Sequence, residues 1–443
     1  MTSSASSPSS DPNEPSGGVR AALLTGVLLL PIDYLMPTAE AFREAGAKPS
    51  IVAFSIAALI SWYRRRRAER MLIDDGQREL WLLLLCAGGF AFCINLLMGW
   101  SDFGRTKSPT VQFITQGALL SLFSAVTVEL SHLFRVEGTR KFVIRLFPFV
   151  AIFHLALFFL EASGLITDGA GTFLGFFRSE GDVIERPSGL MSEPSYFGVF
   201  AGMFGFALIF DRSQHWAVRF VLPLLMSAAA LWINAKTIVA VVGIQLLGVL
   251  WKNRRDIPVV AQSAVLGSFI AAAAFYITSM AAFDLEENLS SVMRIGSTML
   301  GLNLAAEGYG WIGVGTGQFH FLYREAFAPD FLMFSKEALD QMDPSALGRA
   351  SAYNIFVRLL VEGGLSSLLV FLIIVWRALV SATNYGGDHG RFAFLLILAS
   401  LGFLLTQDTY FYPPLCLGLS LAFSLSSSER VSSEKRCELI PTP

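Results

Sequence analysis

The chain has 443 residues, 53% of them hydrophobic and only 15% charged, with a mean hydropathy of +0.56. A soluble domain carries about 25% charged residues, so this composition excludes an ordinary soluble globular protein and points to a polytopic, all-α membrane protein. The net charge of −2 excludes nothing by itself; the distribution of charge carries the signal, and no nucleic-acid partner is expected.

Taken in chain order, residues 1–19 are rich in Ser, Pro, Gly and Asn and are predicted to be disordered. No basic segment precedes the first apolar stretch, so that stretch is expected to be a retained helix rather than a cleaved signal peptide. Apolar runs then predict about twelve spans, near 20–37, 47–63, 79–98, 110–134, 146–163, 191–211, 216–233, 236–251, 258–280, 355–376, 392–408 and 409–426. Tyr410, Tyr412, Pro413 and Pro414 make the last junction a tight turn or a re-entrant bend. Residues 20–426 thus form one membrane domain, and 427–443 a tail. The alternating ten-residue pattern of a membrane β-barrel is missing. Cys86 and Cys93 share one apolar run, Cys416 lies in another and Cys437 in the tail. That spacing fits neither a disulfide framework nor a zinc site, and no metal or cofactor is expected.

Lys and Arg bias orients the spans. With a cytoplasmic amino terminus, 21 of the 33 basic residues fall on one side, including the run Arg64–Arg67 and the short connections 135–145 and 252–255. Both termini are then cytoplasmic. The outer side receives the long loops 164–190 and 281–354. Loops beyond about 12–15 residues are usually functional or disordered. The second contains Trp311, Phe319, Phe321, Phe327, Phe331 and Phe334, enough apolar matter to pack on the helices, and 330–347 reads as an amphipathic surface helix.

Four outer elements carry candidate chemistry. In the first, Arg186-Pro187-Ser188-Gly189-Leu190-Met191-Ser192-Glu193-Pro194, Pro187 fixes a backbone angle and Gly189 permits close approach. Ser192 or Glu193 could instead cap the next helix, and Arg186 could be a plain interface arginine. The second is Asn234-Ala235-Lys236-Thr237, in which Lys236 either snorkels or meets an anion. Third comes Arg294, followed by Gly313-Val314-Gly315-Thr316-Gly317. That run lacks the Gly-Lys-Ser/Thr end of a Walker loop and a Rossmann setting, but its N–H groups could contact phosphate or sugar. In the fourth, Tyr353-Asn354 opens a helix on which Asn354, Arg358 and Glu362 share one face. An Arg358–Glu362 pair either holds the bundle together or lines a polar cavity. Together the arginines suggest an external cavity for a membrane-borne anion, such as a polyprenyl phosphate or diphosphate, because guanidinium groups match phosphate oxygens.

The order of these elements resembles the O-antigen polymerase and O-antigen ligase superfamily of bacterial envelope enzymes. That family's Arg-x-x-Gly-Leu-Phe-x-x-Pro block corresponds to Arg186–Pro194, with Met191 for Phe. Its Ser-Arg-Thr turn corresponds to Ala235-Lys236-Thr237, its arginine before Gly-x-Gly-x-Gly-x-Phe to Arg294 and Gly313–Phe319, and its His-Asn and Glu-x-Gly to Tyr353-Asn354 and Glu362-Gly363-Gly364, without the histidine. The resemblance implies a metal-independent glycosyltransferase with a membrane fold of the C type in a bacterial inner membrane, its active site facing the periplasm. The substrate would be an undecaprenyl-diphosphate-linked oligosaccharide. Partners would be membrane lipids and the chain-length regulator and flippase of the same pathway. Arg186, Arg294 and Lys236 would neutralise the leaving diphosphate, with Arg178 and Arg358 as second choices. Glu193, Glu362 and His320 are the candidate bases, and Tyr353, Asn354, Gly315 and Gly317 join the substrate-binding set. Loss of the family's histidine tilts the expectation toward polymerase over ligase. A lipid-linked oligosaccharide flippase and a structural assembly partner are the non-enzyme alternatives.

Overall fold

A computed structural model describes residues 15–32, 48–67, 77–98, 108–167, 187–191, 194–210, 212, 214–233, 235, 237–253, 263, 267, 289–322, 352–384, 387–410 and 412–438. The described residues are all-helical. Twelve helices of twelve or more residues follow one another: α1 Gly17–Leu28, α2 Pro49–Arg67, α3 Gln77–Leu97, α4 Pro109–Leu133, α5 Glu137–Ala162, α6 Pro194–Phe210, α7 Ala217–Trp232, α8 Thr237–Lys252, α9 Leu289–Leu304, α10 Ile355–Asn384, α11 Asp388–Leu404 and α12 Pro413–Glu438. The first turn of α7 is a π turn over Ala217–Val221.

Among these, four are long and apolar enough to cross a membrane: α3, α4, α5 and α10. Large apolar side chains such as Phe90, Phe149, Leu224, Trp232 and Trp376 are exposed on the outside of the bundle. A soluble protein rarely presents so much apolar surface, and together with the four helices it indicates a membrane location. The expected count of about twelve full-length spans is corrected. Helices α1, α6, α7 and α8, and the apolar part of α12 over 413–426, are apolar but shorter. At about 1.5 Å per residue, the 17 residues of α6 reach roughly 25 Å, against a hydrocarbon thickness of about 30 Å. The apolar run beginning at 191 lost its first turn because Pro194 starts the helix, leaving 187–191 as a separate turn. Expected span 258–280, apart from residues 263 and 267, and the amphipathic segment 330–347 lie outside the described residues.

Two boundaries also move. Helix α1 begins at Gly17 rather than near residue 20, because the Ser16 hydroxyl accepts the Val19 N–H and caps the helix. The segment 427–438, expected as a tail, continues α12.

Contacts between helix termini define two unlike ends of the bundle among the described residues. At one end the basic residues collect. Arg65 pairs with Glu129 across the ends of α2 and α4. Arg140 at the start of α5 donates to the Phe134 carbonyl, Arg219 caps the end of α6 through the Ile209 carbonyl, and Lys252 of α8 sits over the Phe394 ring of α11. The opposite end joins the other termini. There Lys48 before α2 donates to Thr409 before α12, Thr237 at the start of α8 donates to the Ser195 carbonyl at the start of α6, and Asn95 near the end of α3 reaches the glycine turn.

The core is a continuous apolar cluster running through the bundle, with Phe147 stacked on Phe204 and edge-on to Phe392. Helices α8 and α11 touch at small residues, as close crossings in a membrane require. A Cβ added at Gly402 would lie 2.8 Å from the Val241 Cα. Gly402→Leu should therefore destabilise the bundle by about 1–3 kcal/mol. Thermal unfolding of the purified protein in detergent checks this, and an unchanged midpoint would contradict the crossing.

Candidate functional site

The site begins with a break in a helix. At Gly364, φ is +69° and ψ −174°, and α10 is divided into a short first piece and a long second one. The break strips the carbonyls near the end of the first piece of their intrahelical donors. The glycine turn after α9 supplies replacements. Val314 N–H donates to the Val361 carbonyl at 2.9 Å and Gly315 N–H to the Glu362 carbonyl at 2.7 Å. A Cβ at Gly313 would meet the Glu362 carbonyl oxygen and the Gly364 nitrogen, each at 2.6 Å, so only glycine allows the two backbones to lie this close. Such irregular backbone is tolerated in a membrane bundle only where protein satisfies it.

Glu362 completes the junction with its side chain. Its carboxylate is buried and accepts four donors: Gly317 N–H at 2.6 Å, Phe319 N–H at 3.2 Å, Arg358 Nε at 3.1 Å and the Tyr410 hydroxyl. The Arg358 guanidinium then bridges outward. It donates to the Asp408 carbonyl at 2.9 Å and to Gln116 of α4 at 3.4 Å, approaches the Asp408 carboxylate at 3.8 Å, and lies 4.3 Å from the Tyr410 ring centre. Tyr410 stands in the connection between α11 and α12. Burial, then the neighbouring Glu362 charge, pushes its phenol well above the ordinary range, so it acts as a hydrogen-bond donor to that carboxylate. Asp408 also accepts the Ala352 N–H at 2.8 Å.

The walls of this junction are helix ends. Gly88, Phe92 and Asn95 share one face of α3. Gly88 makes room for the Thr316 hydroxyl, Phe92 lies against Gly315, and the Asn95 amide donates to the Val314 carbonyl at 2.7 Å. Gln318 donates to the Pro109 carbonyl at the start of α4. Asn354 caps α10, its side-chain oxygen accepting the N–H groups of Phe356 and Val357. Tyr353 has φ +48°, a left-handed conformation that a non-glycine residue adopts rarely and that concentrates at functional sites.

A second cluster lies at the same end. The Glu161 carboxylate, near the end of α5, accepts the N–H groups of Ser188 at 2.9 Å and Gly189 at 2.7 Å. Gly189 has φ +64° and packs against the His154 ring, where a Cβ would come within 2.9 Å. His154 is itself wedged against Phe197 and Phe200. The turn 187–191 is thereby fixed to α5.

These positions account for the sequence candidates unequally. Glu362, Arg358, Asn354, Gly315 and Gly317 are brought together, the two glycines and Glu362 as the frame of the junction. The N–H groups of Gly315 and Gly317 are spent on that frame. Arg294 lies on α9, one helical turn before Thr298 and on the same face, and Thr298 donates to the Ala352 carbonyl beside Tyr353. His320 falls in the short helix Phe319–Leu322, its side chain outside the described residues. Arg178, Arg186, Glu193 and Lys236 also lie outside them, although described neighbours flank the last three. Sequence reasoning missed Glu161, Gln116, Asp408 and Lys48, and took Tyr410 only as a turn residue. Their signal was polarity inside or beside apolar runs, which in a membrane protein marks a residue that is paired or used.

No protein-family model matches this chain, and no curated protein matches it.

Two stability outcomes follow from the geometry. Arg358→Ala leaves Glu362 buried beside fewer donors and should cost about 3–5 kcal/mol. Because the residues share one network, the double change with Glu362→Ala should cost less than the sum of the single changes; strictly additive shifts in unfolding midpoint would refute the shared network. Glu161→Ala orphans two N–H groups and should cost about 1–3 kcal/mol, whereas Glu161→Gln keeps an acceptor oxygen and should cost less. Limited proteolysis of the 187–191 turn reads the same difference.

Proposed function

We propose that the chain is a membrane glycosyltransferase that polymerises lipid-linked oligosaccharide repeat units at the outer face of a bacterial inner membrane. The observation that supports this most is the gathering at one end of the bundle. The turn after Arg186, the start of α8 after Lys236, the α9 face bearing Arg294, the glycine turn and the Tyr353–Glu362 segment all belong to the end opposite the basic residues. By the bias of Lys and Arg toward the cytoplasm, the end bearing these elements faces outward, and both chain termini face inward.

In this reading the donor is a glycan on undecaprenyl diphosphate and the acceptor is the terminal sugar of another lipid-linked unit. The acceptor hydroxyl attacks the anomeric carbon as its bond to the diphosphate breaks, and the hydroxyl proton passes to a base or to water. Arg186, Arg294 and Lys236 neutralise the charge that develops on the departing diphosphate, and Arg178 extends that cationic surface. Glu193 and His320 are the groups left for the proton. Glu362 and Arg358 serve the reaction by holding the glycine turn in place, since their own polar atoms are already engaged. Chain-length control would come from a partner of the same pathway.

The test is reconstitution with an undecaprenyl-diphosphate repeat unit and no nucleotide sugar. A ladder of products is expected. Removing one charge-stabilising group in a catalytic site costs roughly 100-fold or more in rate, so Arg186→Ala and Arg294→Ala should each abolish the ladder while leaving the unfolding midpoint near that of the parent. Transfer appearing only after an outer-leaflet acceptor is added would instead make the protein a ligase. No transfer under either condition would overturn the enzymatic reading.

A further inference from the structure

At the end of the bundle where the basic residues collect, the cations are unequally occupied. Arg65 and Lys141 meet the carboxylates of Glu129 and Glu137, while Arg140 and Arg219 donate to the carbonyls of Phe134 and Ile209. Lys252 and Arg391 differ. Lys252 is the last residue of α8, and Arg391 lies in the first turn of α11. The two helices are locked side by side up to this point, since Gly248 makes room for Leu398 and the Gln245 amide donates to the Leu395 carbonyl at 3.2 Å. The Lys252 ammonium is closed off from solvent, lies 5.6 Å from the Phe394 ring centre and has no hydrogen-bond acceptor among the described residues. Arg391 stands one helical turn before Phe394, on the same face of α11. Its guanidinium is partly exposed, approaches Asp388 only at 3.7 Å and acts on Lys252 with a like charge. Glu137, a second carboxylate near the start of α11, is already held by Lys141 at 2.6 Å.

We propose that Lys252 and Arg391 form a binding site for a phosphate group at the membrane interface, carried by an anionic phospholipid or free in solution. An ammonium taken out of water without an acceptor is costly, and a buried polar group with no partner calls for an ion or a water. The second positive charge beside it selects an anion over a water. A tetrahedral phosphate has oxygens enough to accept from the guanidinium fork and from the ammonium together, whereas one bidentate guanidinium uses up a carboxylate. Arg391 provides the accessible approach, and the flexible stem of Lys252 lets the ammonium leave the Phe394 ring and meet the same anion. Trp251, next to Lys252, is exposed. Aromatic rings collect at the level of lipid head groups, so the site sits at the depth of the phospholipid phosphates. It lies at the end opposite the glycine turn and is independent of glycosyl transfer.

The purified, delipidated full-length protein in detergent is titrated with a fluorescent phosphatidylglycerol, with phosphatidylcholine and inorganic phosphate as separate competitors. Phosphatidylglycerol should bind saturably, and phosphatidylcholine should compete far more weakly because its head group carries its own cation. Lys252→Met and Arg391→Gln should each weaken binding about tenfold or more, the loss expected for a charge-assisted hydrogen bond. Lys141→Gln, at the same end but paired with Glu137, should change it less than about twofold. Displacement of the lipid by inorganic phosphate, itself lost in Lys252→Met, upholds the site and assigns it to free phosphate. Lipid binding that inorganic phosphate does not displace upholds it as a head-group site. Unaltered binding in either Lys252→Met or Arg391→Gln overturns the proposal, as does an equal loss in Lys141→Gln or phosphatidylcholine competing as well as phosphatidylglycerol. A second measurement needs no ligand. Lys252→Met should raise the unfolding midpoint of the ligand-free protein, because it removes an unanswered charge from beside Arg391; a lowered midpoint would show the ammonium already satisfied and would equally overturn the site.

Discussion

Everything at the candidate site depends on one constraint: a helix broken inside an apolar bundle must have its backbone groups satisfied by protein. Gly364 breaks α10, and the glycine turn closes the gap with two backbone hydrogen bonds to Val361 and Glu362. In water such a break would be solvated at little cost. In a membrane bundle each unpaired carbonyl costs several kcal/mol, so the turn has little freedom to lie elsewhere. The buried Glu362 carboxylate fixes the turn a second time, through Gly317 and Phe319, and its charge in turn demands Arg358. Arg358 is too large to be satisfied locally and ties in α4 through Gln116 and the connection before α12 through Asp408. One backbone irregularity thus organises four separate stretches of chain.

The second organising feature is the division of polar and apolar functions across one short connection. Residues 405–412 send Asp408 and Tyr410 into the charged junction and Tyr412 into the wall of an apolar cavity. The two environments are adjacent but unmixed, and a charge placed in the cavity would be desolvated without a partner. The cation at the edge, Lys48, stands where the two meet. Glu161 anchors the turn 187–191 to α5 by accepting two of its N–H groups.

The all-helical, membrane-type character of the chain was legible in composition alone, and the separation of basic residues from the other candidate segments was legible in their spacing along it. The count of full-length spans was not. Apolar runs show where a chain avoids water, but Pro194, the π turn over Ala217–Val221 and the break at Gly364 decide where a helix starts and how far it continues. Asn354, Arg358 and Glu362 could be placed on one face because helical phase follows from spacing. Their roles could not, since Glu362 reads as a base or as a charge partner until its four donors are seen.

The sequence by itself determined the class of protein, the grouping of its charges and the local geometry that glycine and proline impose, because these depend on near neighbours and on solvent preference. Only the tertiary structure decided that the glycine turn closes the break in α10, that Glu161 holds the turn before α6, and that Lys48 meets Thr409, 361 residues along the chain. Those contacts join residues with no shared periodicity. They are selected by the requirement that every buried polar group find a partner, a condition on the whole packed chain rather than on any one segment of it.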